Sequence, residues 1–122
     1  MLRAILDETK VHPSVRDTIA NNHSDIVKQV QAAISKNDVV VVGMAQNVFP
    51  KKARAALKAH NVPFEYLEFG SYVSEWRRRT ALKMWTGWPT FPMIFVKGTL
   101  IGGFKDLERM LESGELQKML QN

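Results

Sequence analysis

Among its 122 residues the chain has no cysteine. That excludes two chemistries: thiol–disulfide exchange needs an attacking thiolate, and an iron–sulfur cluster held by the chain's own cysteines needs the same atom. Six methionines do not replace it, since a thioether carries no anionic sulfur. Long apolar runs are missing as well. The longest, Val39 to Met44, is far too short to cross a bilayer. Met1 to Leu6 is too short for a signal-peptide core, and Asp7, Glu8 and Asp17 argue against a transit peptide. Cytoplasm is the default expectation, with no membrane partner. There is no internal repeat, low-complexity stretch or Pro/Gly/Ser linker, and no metal-ligand cluster, P-loop or catalytic serine motif.

What is present fits one domain of 13.9 kDa, 45% hydrophobic and 24% charged, long enough to bury about two thirds of its surface. The net charge of +5 is unevenly placed. Lys51, Lys52, Arg54, Lys58, Arg77, Arg78, Arg79 and Lys83 face only Glu65, Glu68 and Glu75 between residues 51 and 83, and the remainder is balanced. Such a cluster suits nucleic acid, a membrane surface or a small anion. It equally suits a solvated helix face.

Pro13 opens a short helical stretch with Val15 and Ile19 four apart. His12 and His23 flank it and read as cap or surface residues. Ser24 is the expected N-cap of an amphipathic helix through Ile26, Val27, Val30, Ala33 and Ile34, ending near Lys36–Asn37. Val39 to Val42 is β-branched throughout and reads as a central strand buried on both faces. A second helix spans 50 to 60, with Pro50 in its first turn and Asn61 and Pro63 ending it. His60, near its end, reads as a partner of the helix dipole. Phe64 to Phe69 predicts a second strand beside the first, and about Val73 to Trp85 a further helix.

The stretch from Trp88 to Val96 is the most constrained. Pro92 heads an apolar β-rich run; without an N–H it fits the first residue of a strand, and its preceding peptide is a candidate for the cis form. There the Phe91 N–H and C=O are expected to stay free for an extended ligand. A Lys97–Gly98–Thr99 turn makes the run a hairpin, and Gly102–Gly103 opens a helix ended by Ser113–Gly114. A final helix from Glu115 to Leu120 is expected to fray.

Thr90–Phe91–Pro92, the Phe95–Val96–Lys97–Gly98 hairpin and Gly102–Gly103 resemble the C-terminal half of a glutaredoxin, and Trp88–Pro89–Thr90 resembles the monothiol branch. The resemblance covers roughly residues 24 to 116. It implies an α/β thioredoxin-like fold: a four-stranded mixed sheet flanked by helices, in the order β-α-β-α-β-β-α, for which we expect strand order 3-1-2-4. Residues 1–23 form an added helical extension before the glutaredoxin-like domain, 24–122. The resemblance places Asn47 and Pro50 at the family's active-site pair, so no residue is assigned a catalytic role; Met44 stands where members commonly carry a lysine. Family activity would be glutathione-dependent disulfide reduction. The glutathione-binding positions it implies are Phe49, Arg79, Lys83, Phe91, Pro92, Gly103, Phe104, Lys105 and Asp106. Arg79 would grip the glycine carboxylate in two parallel bonds, Lys83 lies one turn later, and N–H groups after the glycine pair would receive the γ-glutamyl carboxylate. Asp106 matches the amine-binding acid of the dithiol branch; the monothiol branch has it at the position of Lys105.

The first functional reading is a glutaredoxin-related protein without thiol–disulfide catalysis, a pseudoenzyme that retains a noncovalent groove for glutathione or a γ-glutamyl or extended peptide and is linked to redox homeostasis. The alternative is a protein-interaction module on the same scaffold. Nucleic-acid binding is weaker: Trp76 and Trp85 lie near the basic residues, but no recognised reading motif is present.

Overall fold

The structure, a computed structural model, describes residues 1–121. After a single 3-10 turn (Glu8–Lys10) the elements are α1 (Pro13–Asn21), α2 (Ser24–Lys36), β1 (Val39–Gly43), α3 (Val48–Ala59), β2 (Glu65–Glu68), α4 (Trp76–Thr86), β3 (Met93–Val96), β4 (Thr99–Gly102), α5 (Phe104–Ser113) and α6 (Glu115–Gln121). Together they make a thioredoxin-like fold.

The sheet runs β2-β1-β3-β4. β1 pairs parallel with β2 and antiparallel with β3, and β3 pairs antiparallel with β4. The expected order 3-1-2-4 is therefore corrected. β4 lies beside β3, not β2, because Lys97 (φ 51°) and Gly98 (φ 80°) form a two-residue turn with both central residues left-handed. A connection that short can only return the chain to its own neighbour.

β1 is the spine, and its side chains point alternately to two cores. Val40 and Val42 face Ile26 and Val30 of α2, Leu82 of α4, and Met93 and Phe95 of β3. Val39 and Val41 face Ala53 and Leu57 of α3, Ile94 and Val96 of β3, Leu107 and Leu111 of α5, and Leu116 of α6. All four valines are at most 1% exposed, which explains why a run without polar alternation forms a strand here. Helices cover both faces of the sheet, so β1 has no wet side.

The starts of α2 and α4 differ from the expectations. Ser24 is the first helical residue and makes no cap; His23, left-handed at φ 49°, has already turned the chain, and a capping side chain needs extended backbone. α4 begins three residues late because the Ser71 and Ser74 hydroxyls take up local backbone N–H groups (Val73 N–H to Ser71 Oγ, 3.3 Å; Ser71 N–H to Ser74 Oγ, 3.0 Å), an alternative to helix typical of serine. The last helix holds Leu116 at 0% exposure, so its first turn is anchored in the core.

The N-terminal residues reach the end of α4. Arg3 Nη1 donates to the Thr86 carbonyl at 3.2 Å, passing through the space a Cβ on Gly87 would fill. A cation there complements the helix dipole.

Candidate functional site

Three chain segments meet at the C-terminal end of β1. The first is the start of α3. Asn47 has extended backbone (φ −106°, ψ 123°), and its Oδ1 accepts the Phe49 N–H at 3.0 Å, capping the helix. Pro50 follows in the first turn, buried, against Gly43; a Cβ on that glycine would lie 2.7 Å from the Pro50 Cβ.

The second segment is the loop before β3. The Phe91–Pro92 peptide is cis and both residues are buried. One expectation needs amending here: the Phe91 carbonyl is not free, because Asn47 Nδ2 donates to it at 3.3 Å. A single carboxamide thus joins the α3 cap to the proline loop.

The third is the start of α5. The Gly103 N–H donates to Asp106 Oδ2 at 3.0 Å, and Arg109 Nη2 donates to Asp106 Oδ1 at 3.1 Å. The Gly103 hydrogen bond, aided by Arg109, holds the Asp106 carboxyl below the usual carboxylate range against the opposing effect of burial. Gly102 has to be glycine: its φ is +118°, and a Cβ would come within 2.3 Å of Asp106 Oδ2. Trp88 completes the floor, its indole 3.6 Å from where a Gly103 Cβ would sit. Its Nε1 is buried without a partner.

One aromatic pair bridges α3 and α5, and two lysines lie beside the aromatic rings. The Phe49 and Phe104 ring centroids are 6.2 Å apart, Lys52 Nζ lies 5.4 Å from the Phe49 centroid, and Lys83 Nζ lies 5.7 Å from that of Phe91. Phe49 is 43% exposed, and Lys105 is exposed on the first turn of α5. The arrangement joins aromatic surface, lysines and a helix N-terminus, which suits a small ligand carrying carboxylates.

Arg79 is turned inward. It is 6% exposed, and its Nη1 donates to the Phe69 carbonyl at 2.9 Å and the Ser74 carbonyl at 2.5 Å. Met44, 6% exposed, belongs to the core on the α2 and α4 side. Two contributions escaped the sequence reading: the reach of Asn47 to Phe91, and the Trp88 floor. The only signal for either was position, an amide opposite the proline loop and a tryptophan four residues before Pro92. His12 accepts the Ser14 N–H at 3.1 Å and His60 Nδ1 lies 3.0 Å from the Ala56 carbonyl, both local roles at helix ends. Among the described residues no group of three or more His, Cys, Asp or Glu is arranged to hold a metal, and no helix is long and apolar enough to cross a membrane.

Comparison with known proteins bears on the family and the fold. The sequence profile described as Glutaredoxin matches residues 39–101. A "Glutaredoxin-like protein" of Dictyostelium discoideum is 46% identical over 108 residues, spanning 88% of each chain. The chain belongs to the glutaredoxin family. It is also similar to "Monothiol glutaredoxin-4" of Schizosaccharomyces pombe, 35% identical over 74 residues, which are 61% of this chain and 29% of that one. Among solved structures, a buckwheat glutaredoxin–glutathione complex superposes with a TM-score of 0.71 at 20% identity, covering 83% of this chain and 92% of that one; at that identity the likeness concerns the fold. This glutaredoxin-family chain has no cysteine, so the family's reactive sulfur is missing while the fold around its position is kept.

Proposed function

We propose that this glutaredoxin-family protein keeps a noncovalent groove for glutathione or a γ-glutamyl peptide and performs no thiol–disulfide exchange of its own, acting in cytoplasmic redox homeostasis as a binder. The observation that carries this reading is the convergence of the Phe91–Pro92 loop, the start of α5 at Gly103–Phe104 and the Phe49–Lys52 edge of α3 in one place. Phe91 offers backbone to the middle of a tripeptide, the α5 N–H groups and Lys105 receive one carboxylate, and Lys83 with Lys52 receives the other. Arg79, committed to the Phe69 and Ser74 carbonyls, fixes the loop between β2 and α4 instead of gripping a ligand carboxylate. Asp106, engaged with Gly103 and Arg109, sets the α5 start and offers its remaining acceptor capacity to an amine. The existence of a glutathione complex for a protein of this fold supports the reading. Without a covalent step, affinity rests on charge-assisted hydrogen bonds and falls in the range of about 0.1 to several millimolar.

Titration of reduced glutathione into isotope-labelled protein tests it. Saturable amide shifts at Phe91, Phe104 and Lys105, the same with reduced and oxidised ligand, are expected; no shifts at millimolar ligand overturn the reading. A protein-interaction role is favoured by a separate observation: Tyr72, Val73 and Trp76, before and at the start of α4, are 62%, 89% and 56% exposed. Those residues lie outside the groove described above, so a partner there and a ligand in the groove are compatible.

A further inference from the structure

Asn47 does more than cap α3. Its Oδ1 is taken by the Phe49 N–H and its Nδ2 by the Phe91 carbonyl, so both ends of the carboxamide are fixed and its plane is set. The Phe91 backbone is the point where an extended ligand would form strand-like pairs, giving its own N–H to the Phe91 carbonyl and taking the Phe91 N–H on its carbonyl. In this chain the carbonyl half of that exchange already has an internal donor. Phe91 is buried, 6% exposed, which limits the room for a second donor.

We propose that Asn47 is a specificity-determining residue of the groove: by satisfying the Phe91 carbonyl from within, it weakens ligands that depend on central backbone pairing relative to ligands held by their charged ends. The inference rests on the glutathione reading above and adds to it the rule by which the groove selects. A ligand amide must displace Nδ2 or share the carbonyl with it, and gains correspondingly less. The charged ends, bound at α5 and the lysines, are unaffected.

Asn47→Ser separates the two jobs of the side chain. Serine caps a helix about as well as asparagine, so α3 stays intact, but its hydroxyl is too short to reach Phe91 from the cap position. The titrant is reduced glutathione, compared with an analogue methylated on the cysteinyl nitrogen, which has no central N–H to give. The expected result is an Asn47→Ser protein that stays folded with α3 intact, its melting temperature lowered by a few degrees through the lost bond to Phe91, that binds glutathione about three- to tenfold tighter, the worth of one recovered hydrogen bond, and binds the methylated analogue as the native protein does. Binding by Asn47→Ser where the native protein shows none also supports the inference while overturning the glutathione reading for the native chain. Equal glutathione affinity in the two proteins overturns the inference and leaves the glutathione reading standing. An equal change for both ligands overturns it too, since Asn47 would then act through the cap alone. If neither protein binds either ligand, both the glutathione reading and the inference are overturned.

Discussion

Asp106 shows how much one side chain can settle at this site. Its carboxylate closes the start of α5 by taking the Gly103 N–H, and its proximity adds to the φ of +118° that already calls for glycine at 102. Because its folded pKa lies below the ordinary value, the unfolded chain takes up the proton first as pH falls. The stabilisation is therefore complete above about pH 5 and is lost progressively as the solution is acidified through the carboxylate range. Asp106→Ala is expected to cost about 1 kcal/mol at neutral pH, the worth of the hydrogen bond it gives up, and to lose less stability than the native protein between about pH 5 and pH 2; urea unfolding at the two pH values measures both. Equal acid sensitivity of the two proteins would refute the assignment.

The residue scale is also where the sequence was hardest to read. Arg79 and Lys83 sit one helical turn apart on α4, and the family resemblance gives both a claim on a ligand. Which of them turns inward depends on where the Phe69 and Ser74 carbonyls lie, and those come from a loop whose serines delay the helix. Asn47 was legible as a cap because asparagine before a helix has a local meaning. Its second bond spans 44 residues of sequence, and no local pattern announces such a contact.

Elements were more legible than residues. The valines of β1, the proline-headed β3 and the glycine-opened α5 each follow from backbone chemistry that acts locally, and the structure has all three. α6 reads in the sequence as a short helix open to fraying because a short terminal helix has little intrinsic stability. What holds it is tertiary: Leu116 is fully buried with Leu107, Leu111 and Leu57. Leu116→Ala should cost about 2–5 kcal/mol and lower the denaturant midpoint of the whole domain in one transition. A separate early transition confined to α6, seen by hydrogen exchange, would show instead that the helix is an appendage.

For the whole molecule the decisive feature is a sheet two-faced in its packing and held between two helical layers. The sequence gives the order of elements along the chain but not their order across the sheet. The expected 3-1-2-4 arrangement fails at β4, where the local turn chemistry of Lys97–Gly98 overrules it. Once β4 is placed beside β3, β1 and β3 become the two interior strands, and these are the fully buried ones.

The same sheet order leaves β2 at a margin. It is four residues long, and its first and last side chains, Glu65 and Glu68, are exposed. Unpaired strand margins recruit other chains, and short length with charged ends is a common defence. Crowded copies of this protein would meet carboxylate against carboxylate along that border, a repulsion worth more at low ionic strength. Replacing both glutamates by threonine should leave the monomer's fold intact yet raise light scattering on concentration, and unchanged scattering would mean that the border is guarded by its shortness alone. Resistance of that border to edge-to-edge pairing thus rests partly on two acids that lie away from the α3–Phe91–α5 site.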